Sequence, residues 1–544
     1  MKRVVNKVLA GAVLLGLTQP FAAVAADQDV LKKIEALEKQ LQEMKEQLKN
    51  TDKKVQETEK KVETTEKKAE ENEKKVQKVE EKSLGRWLSV GGDYRFRFDS
   101  LRGKTASFYG FNDLLAWMGG GMVGMPTLTS GTTVKDETLY TNRFGLNIDA
   151  KATQDVSVHA RLLMYKVAGA QDDAALNGNG AYFADRAGLF DGTIGHVPGD
   201  NTLAVDRVYA TWKNIADEPI WFSIGRRPST GGIPSHLKQN KEKPGNSGVP
   251  QLLVDYAFDG MTLGWAPDIE ALPGAYMKLC YGRGFENGIT DNSTNNLHDT
   301  DMLGINIVPY DTDNFKAEFQ YNRGFNIFNT PVMLTGPFAG SVPDVDLGAI
   351  DWYGLNFLGR VKNAGLGSFH WFASGAISHT NPNDSTVVLR GTPLGDVDTG
   401  AGLLWTGEKE STTGWSIFLG GRYDIEATGT KLGFEYNHGS KDWITFAPAA
   451  DDMWTSKVGT RGNVYEGYII QELKLKPISS YLSKTFFKFG YQYYDFDYTG
   501  SNNWVGAPVK MANLSNPAKL PSNAQMLIPL KNAQNFYATF EVHF

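Results

Sequence analysis

The feature that most constrains this chain is a two-residue hydrophobic period that recurs through residues 84–544. At the C-terminus Phe536, Ala538, Phe540, Val542 and Phe544 alternate with the wetter Tyr537, Thr539, Glu541 and His543. Strand side chains point to opposite faces in turn, so such a segment has one apolar and one wet face. Leu88, Val90, Gly92, Tyr94, Phe96 and Phe98 oppose Ser89, Gly91, Asp93, Arg95, Arg97 and Asp99 in the same way. The pattern predicts sixteen strands: 88–99, 138–151, 156–166, 204–213, 219–227, 253–266, 275–283, 301–308, 315–323, 350–361, 367–378, 413–425, 430–438, 461–476, 484–498 and 533–544.

The connections carry a second regularity. Those after odd strands are long, such as 100–137, 167–203, 228–252 and 499–532; those after even strands are short, such as 152–155, 214–218 and 362–366. A soluble sandwich has no reason to alternate loop length. A transmembrane antiparallel β-barrel does, because its two rims face different compartments. The mean hydropathy of −0.35 suits such a barrel, since half of every strand faces water. Trp87, Trp212, Trp221, Trp265, Tyr310, Phe369 and Trp371 sit near the short turns, where a membrane interface favours aromatic rings.

Residues 1–25 read as a signal peptide: Lys2, Arg3 and Lys7 precede the apolar stretch Val8–Leu17, and Ala23-Val24-Ala25 is a small-x-small cleavage site. Residues 26–83 read as a coiled-coil stalk. With Ile34 at heptad position a, the a/d series runs Ile34, Leu37, Leu41, Met44, Leu48, Thr51, Val55, Thr58, Val62, Thr65, Ala69, Asn72, Val76, Val79 and Ser83 without a slip. Such a helix is about 75 Å long. Lys54, Lys61, Lys68 and Lys75 at g face Glu59, Glu66, Glu73 and Glu80 at e of a neighbouring parallel chain, whereas antiparallel pairing sets like charges together. Threonines and Asn72 at d disfavour a dimer, and the expectation is a parallel homotrimer.

The terminal pattern Phe540, Val542 and Phe544 resembles the assembly signal of bacterial outer-membrane barrels. Lys431-Leu432-Gly433-Phe434-Glu435-Tyr436-Asn437-His438 and Phe222-Ser223-Ile224-Gly225-Arg226-Arg227 are similar to porin strands. Signal peptide, coil and barrel together resemble stalk-bearing porins. Those carry a wall-binding domain ahead of the coil, and here only residues 26–33 precede it. The resemblance implies an outer-membrane location with the stalk in the periplasm, and lipid and self as partners. Peptidoglycan or a periplasmic protein are the partner classes open to the stalk. The loop after strand 5 folds inward in general porins, which makes Lys238, Lys241 and Lys243, against the single acid Glu242, constriction-loop candidates.

A sixteen-stranded barrel leaves room for an aqueous channel. By alternation Arg95, Arg97, Arg143, Arg161, Arg207 and Arg227 face the lumen, all on the first five strands, as one basic patch that would concentrate anions. The opposing reading pairs them with Asp93, Asp99 and Asp149. The leading expectation is a porin for passive diffusion of small hydrophilic solutes, preferring anions. The alternatives are a structural barrel anchoring the stalk, and a sleeve for an electron-transfer cytochrome, which needs a lumen cleared of loops.

Catalytic and cofactor chemistry finds little footing. The eight His residues form no metal-ligand pair, and there is no Gly-x-Ser-x-Gly elbow or phosphate loop. A single cysteine, Cys280, excludes an intrachain disulfide and a Cys-based metal, haem or iron–sulfur site; it falls on the wet face as an incidental thiol. Asp311-Thr312-Asp313-Asn314 clusters carboxylates but reads as a polar turn rather than a calcium loop. The expectation is a non-enzyme with no cofactor, no metal and no nucleic-acid partner.

Overall fold

The computed structural model describes residues 87–169, 196, 198–245, 248–289, 297–329, 342–392, 394–447, 451–475 and 483–544, and scattered positions between Glu35 and Lys61. The chain divides into two units, Met1–Arg86 and Trp87–Phe544. In the first, the described positions, such as Glu35, Ala36, Gln42 and Lys61, are helical and exposed. The signal peptide and the coil positions Ile34, Leu37, Leu41, Met44, Leu48 and Asn72 lie outside the described residues.

The second unit is a closed antiparallel barrel of sixteen strands. They are β1 (Leu88–Thr105), β2 (Thr133–Lys151), β3 (Val156–Val167), β4 (Ala204–Trp212), β5 (Ile220–Pro228), β6 (Ala257–Trp265), β7 (Tyr276–Phe285) and β8 (Thr300–Asp311). The circuit continues with β9 (Phe315–Phe325), β10 (Gly348–Ala364), β11 (Gly367–Pro382), β12 (Thr413–Ile425), β13 (Thr430–Gly439), β14 (Gly462–Glu472), β15 (Lys484–Phe496) and β16 (Leu530–His543). Each strand pairs with its sequence neighbours, and β16 closes on β1 with Phe96 opposite Phe540 and Asp93 opposite His543.

All sixteen expected strands are present, with shifted ends. β1 runs on to Thr105 and β2 starts at Thr133, because the two stay paired past an irregularity between Asp99 and Leu101. β6 starts at Ala257 rather than 253: Leu252, Leu253 and Val254 break the alternation and are buried together inside the barrel. Connections after odd strands are long throughout and those after even strands short, down to 312–314 and 365–366. A nine-residue helix, α1 (Phe111–Gly119), lies in the first long loop.

The outward face is apolar. Val158, Ile224, Leu263, Leu279, Ile305, Leu355, Ile377, Leu432, Ile469 and Phe489 are among its exposed large side chains. Trp87, Trp212, Trp265 and Phe369 are exposed near the short-turn rim, and Tyr140, Tyr353, Tyr465 and Tyr491 on the same outer surface. An apolar belt of this extent is far larger than a soluble monomer exposes, and it is the surface a lipid bilayer covers. Phe544 lies on this face. Its backbone bonds to that of Gly92 in both directions, 2.8 and 3.0 Å, and its ring lies where a Cβ on Gly92 would be.

Candidate functional site

The lumen collects most of the chain's buried charge. The loop 229–256, after β5, turns inward and crosses to the far wall. Its short helix α2 (Ser235–Lys238) buries His236 and Leu237. Arg422 of β12 donates to the Leu237 carbonyl at 2.6 Å, and Lys488 of β15 to the Lys238 carbonyl at 3.1 Å. Asn240, at a left-handed φ of 58° that Asn tolerates, takes a bond from Lys431 at 2.6 Å and donates to Glu472 at 2.8 Å. The loop 440–461, after β13, also enters. Toward the long-loop rim the two loops build an apolar core: Leu252, Leu253 and Tyr256 pack with Trp443, Ile444 and Phe446 against Trp352, Phe372 and Phe418 of the wall. Gly354 leaves the space that Leu253 fills.

Deeper in, the same two loops meet the wall through ions. On one side, Arg95 grips the Asp451 carboxylate with both terminal nitrogens, one of them 2.8 Å from Oδ1. Arg97 donates to the Asp451 carbonyl at 3.2 Å, Tyr165 to its Oδ1 at 3.1 Å, and Arg143 stands 3.8 Å from Oδ2. Burial alone would push the Asp451 carboxyl up, but Arg95, Arg143 and Arg97 hold it well below the carboxylate range. On the other side, Lys457 sits between Glu435 and Glu466, 2.6 Å from Glu466. Lys238 reaches Glu466 at 2.6 Å, where Tyr537 also donates at 2.7 Å. Gln492 donates to Asp452 at 2.7 Å. Burial disfavours the Lys457 ammonium, yet Glu435, Glu466 and Asp452 keep it well above its ordinary value.

The structure places all six expected arginines on the lumen side, but five of them are paired with acid, Arg95 through Asp451. Arg97 holds Asp99 at 2.7 Å, Arg161 holds Asp93 at 2.7 Å, and Arg143 lies 3.7 Å from Asp93. Arg207 contacts Asp206 at 3.0 Å, because a register shift after Arg161 turns both Asp206 and Arg207 inward. Asp149 does not join the arginines; it bonds His159. Arg227 has no acid partner among the described residues: it donates to Ser223 at 2.9 Å and stacks over Tyr209 at 5.8 Å. Of the loop lysines, Lys238 is bound to Glu466 and Lys243 to Asp313. Lys241 is solvent-exposed, with no carboxylate at ion-pair distance among the described residues. Enclosure by the surrounding barrel, with Arg207 and Arg161 nearby, pulls its amine down to about 8.

The expected one-sided basic patch is therefore too simple. Lys278, Lys316, Arg422, Lys431 and Lys488 are buried lumen-side cations on later strands, each positioned by the same alternation. Cys280 also faces inward, accepting from Thr262 at 3.2 Å. Asp313 lies in the polar turn 312–314, and among the described residues no cluster of His, Cys, Asp or Glu could hold a metal. Asp451, Asp452 and Lys457 were not foreseen. They lie in a non-periodic loop, where nothing marks a residue as facing the lumen.

Solved structures similar to this chain include the trimer form of in-vitro folded OmpT of Vibrio cholerae (TM-score 0.37, 11% identity, 84% of this chain and 99% of that one). OprB of Pseudomonas putida at high pH (0.39, 10%, 85% and 95%) and OmpF of Salmonella typhi in complex with daunomycin (0.38, 8%, 84% and 97%) are further examples. Likenesses this distant carry no argument, and the barrel stands on its own strand pairing. No curated protein matches the chain in sequence. A family profile does match, over residues 133–544, and the chain belongs to that family, described as protein of unknown function (DUF3373).

Proposed function

We propose that the protein is a channel-forming barrel of a bacterial outer membrane, passing small hydrophilic solutes along a lumen narrowed by two of its own loops. One observation carries this reading: the wall is inverted relative to a soluble protein, with an apolar belt outside and ionised side chains inside. Lys241, Arg207, Asp149 and His159 retain access to solvent, which favours a passage on the β2–β4 side. Among the described residues Arg227 and Lys241 have no acid partner at ion-pair distance, so the lumen there prefers anions. Planar-bilayer recording of the full-length protein tests this. Stable conductance with a chloride preference, reduced in Arg227→Gln and Lys241→Gln, is the expected result. An inert barrel, or a cation-selective one, removes the reading.

A second reading is favoured by the packed lumen: a structural barrel that anchors the N-terminal stalk. The unbroken heptads and their e/g charges support a parallel homotrimeric coil over residues 34–83, placed in the periplasm by the exported chain's route. Absence of conductance combined with envelope detachment on deletion would favour it. The infolded loops 229–256 and 440–461 argue against a cytochrome sleeve, which needs the space they fill.

A further inference from the structure

The channel reading leaves open what the lumen recognises, and the surroundings of Asp451 answer in chemical terms. Arg95 and Arg97 are 4% and 2% exposed, so each needs an anion at hand. Arg97 has Asp99 on its own strand. Among the described residues Arg95 has only the loop carboxylate at ion-pair distance, with Glu541 opposite it on β16 engaged by Lys488, and it binds the loop carboxylate through two nitrogens to two oxygens. This is the fork geometry by which a guanidinium distinguishes a planar carboxylate from a spherical halide. Tyr165 adds a hydroxyl donor to the same carboxylate.

Two further observations set Asp451 apart from a permanent structural acid. The cradle has donors to spare: Nε of Arg95 and Nε of Arg143 are buried and donate to nothing among the described residues. Asp451 itself holds a left-handed φ of 64°, a conformation that Asp tolerates and glycine adopts freely. Its side chain keeps 26% exposure while the arginines behind it are sealed, so the carboxylate is approached from the solvent side.

We propose that Arg95, Arg97, Arg143 and Tyr165 form a carboxylate-binding site of the channel, and that Asp451 occupies it as an internal ligand which a solute carboxylate replaces. The proposal rests on the channel reading and deepens it. Exchange keeps the buried arginines paired throughout, so the loop can release without stranding a charge. The solute class that follows is small carboxylates.

Calorimetric titration of acetate into the full-length protein in detergent tests the site. Acetate matches the carboxymethyl group that Asp451→Gly removes, and glycine suits the left-handed backbone. The expected result is that Asp451→Gly binds acetate at least tenfold more tightly than the wild type. Equimolar chloride should not displace it, and Arg95→Gln in the same background should abolish it. Asp451→Asn, which keeps an amide oxygen for the cradle but holds the loop more weakly, should gain less than Asp451→Gly. A folded Asp451→Gly barrel with wild-type acetate affinity, or one in which chloride competes equally, overturns the proposal. If Asp451→Gly does not fold, the wild type and Arg143→Gln are titrated instead. Saturable acetate binding in the wild type that weakens in Arg143→Gln supports the site, and its absence from the wild type overturns it. Calorimetry separates the two claims. A non-conducting barrel that binds acetate keeps the site and loses the channel; a conducting barrel that ignores acetate does the reverse.

Discussion

The two sides of the lumen solve one problem with opposite signs. On the β1–β3 side the wall supplies the cations, Arg95, Arg97 and Arg143, and the loop supplies the acid, Asp451. On the β13–β14 side the wall supplies the acids, Glu435 and Glu466, and the loops supply the cations, Lys457 and Lys238. One loop, 440–461, carries both halves of this arrangement within seven positions, Asp451 to Lys457. It can therefore sit in one orientation only, because turning it round would set Asp451 against glutamates and Lys457 against arginines. The two sides differ in strength as well as sign. The Lys457 side is sealed, whereas Asp451 keeps contact with solvent.

The largest effect is expected on the sealed side. Lys457→Met leaves Glu435 and Glu466 buried with one cation fewer and should cost about 3–5 kcal/mol. Heat unfolding of the full-length protein in detergent would show it. Unchanged stability would mean that the two sides are not held by charge.

Asp451→Asn should be milder, about 1.5–3 kcal/mol, the range for hydrogen bonds to charged groups. It should loosen the loop rather than the barrel. Protease cleavage within 440–461 at an unchanged barrel unfolding temperature is the expected sign.

The pH response sharpens the comparison further. Asp451 is depressed, so its stabilisation is complete above the ordinary 3.8 and is lost only as pH falls through its lower folded value. Lys457 is raised, so its contribution is complete below the ordinary 10.5 and is lost only as pH rises through its higher folded value. The Asp451 latch should hold down to about pH 4, and the Lys457 ammonium should persist up to about pH 10. Lys241, at about 8, titrates inside that window. Anion preference in reversal-potential measurements should fall as pH rises past about 8 while the loops stay in place. A preference flat across that range would remove Lys241 from the selectivity argument.

The smallest effect belongs to the exposed Asp149–His159 pair, whose side chains are 54% and 28% exposed. Asp149→Asn should change stability by less than about 1 kcal/mol. A larger loss would show that this water-facing stretch of wall bears structure after all.

The barrel was readable because a strand has a period of two. Phe96 and Arg97 could be assigned to opposite faces from their neighbours alone, and one apolar face phases every strand in the circuit. Sixteen strands, the six inward arginines and the long-short alternation of loops followed from that period. Asp206 and Arg207 show its limit, since a register shift turns two successive residues inward. Leu253 and Val254 show another: they read as the start of a strand and are packing inside the lumen beside Leu252.

The sequence by itself determined the wall, because each residue's face depends only on its place in a local period. Tertiary structure alone decided what fills the wall. Arg95 meets Asp451 across 356 residues, and no periodicity in the loop 440–461 marks that acid as the partner. Loops have no repeating geometry that sends a side chain in or out. Their path is set by which distant charges and apolar surfaces they can satisfy, and those become neighbours only when the barrel closes.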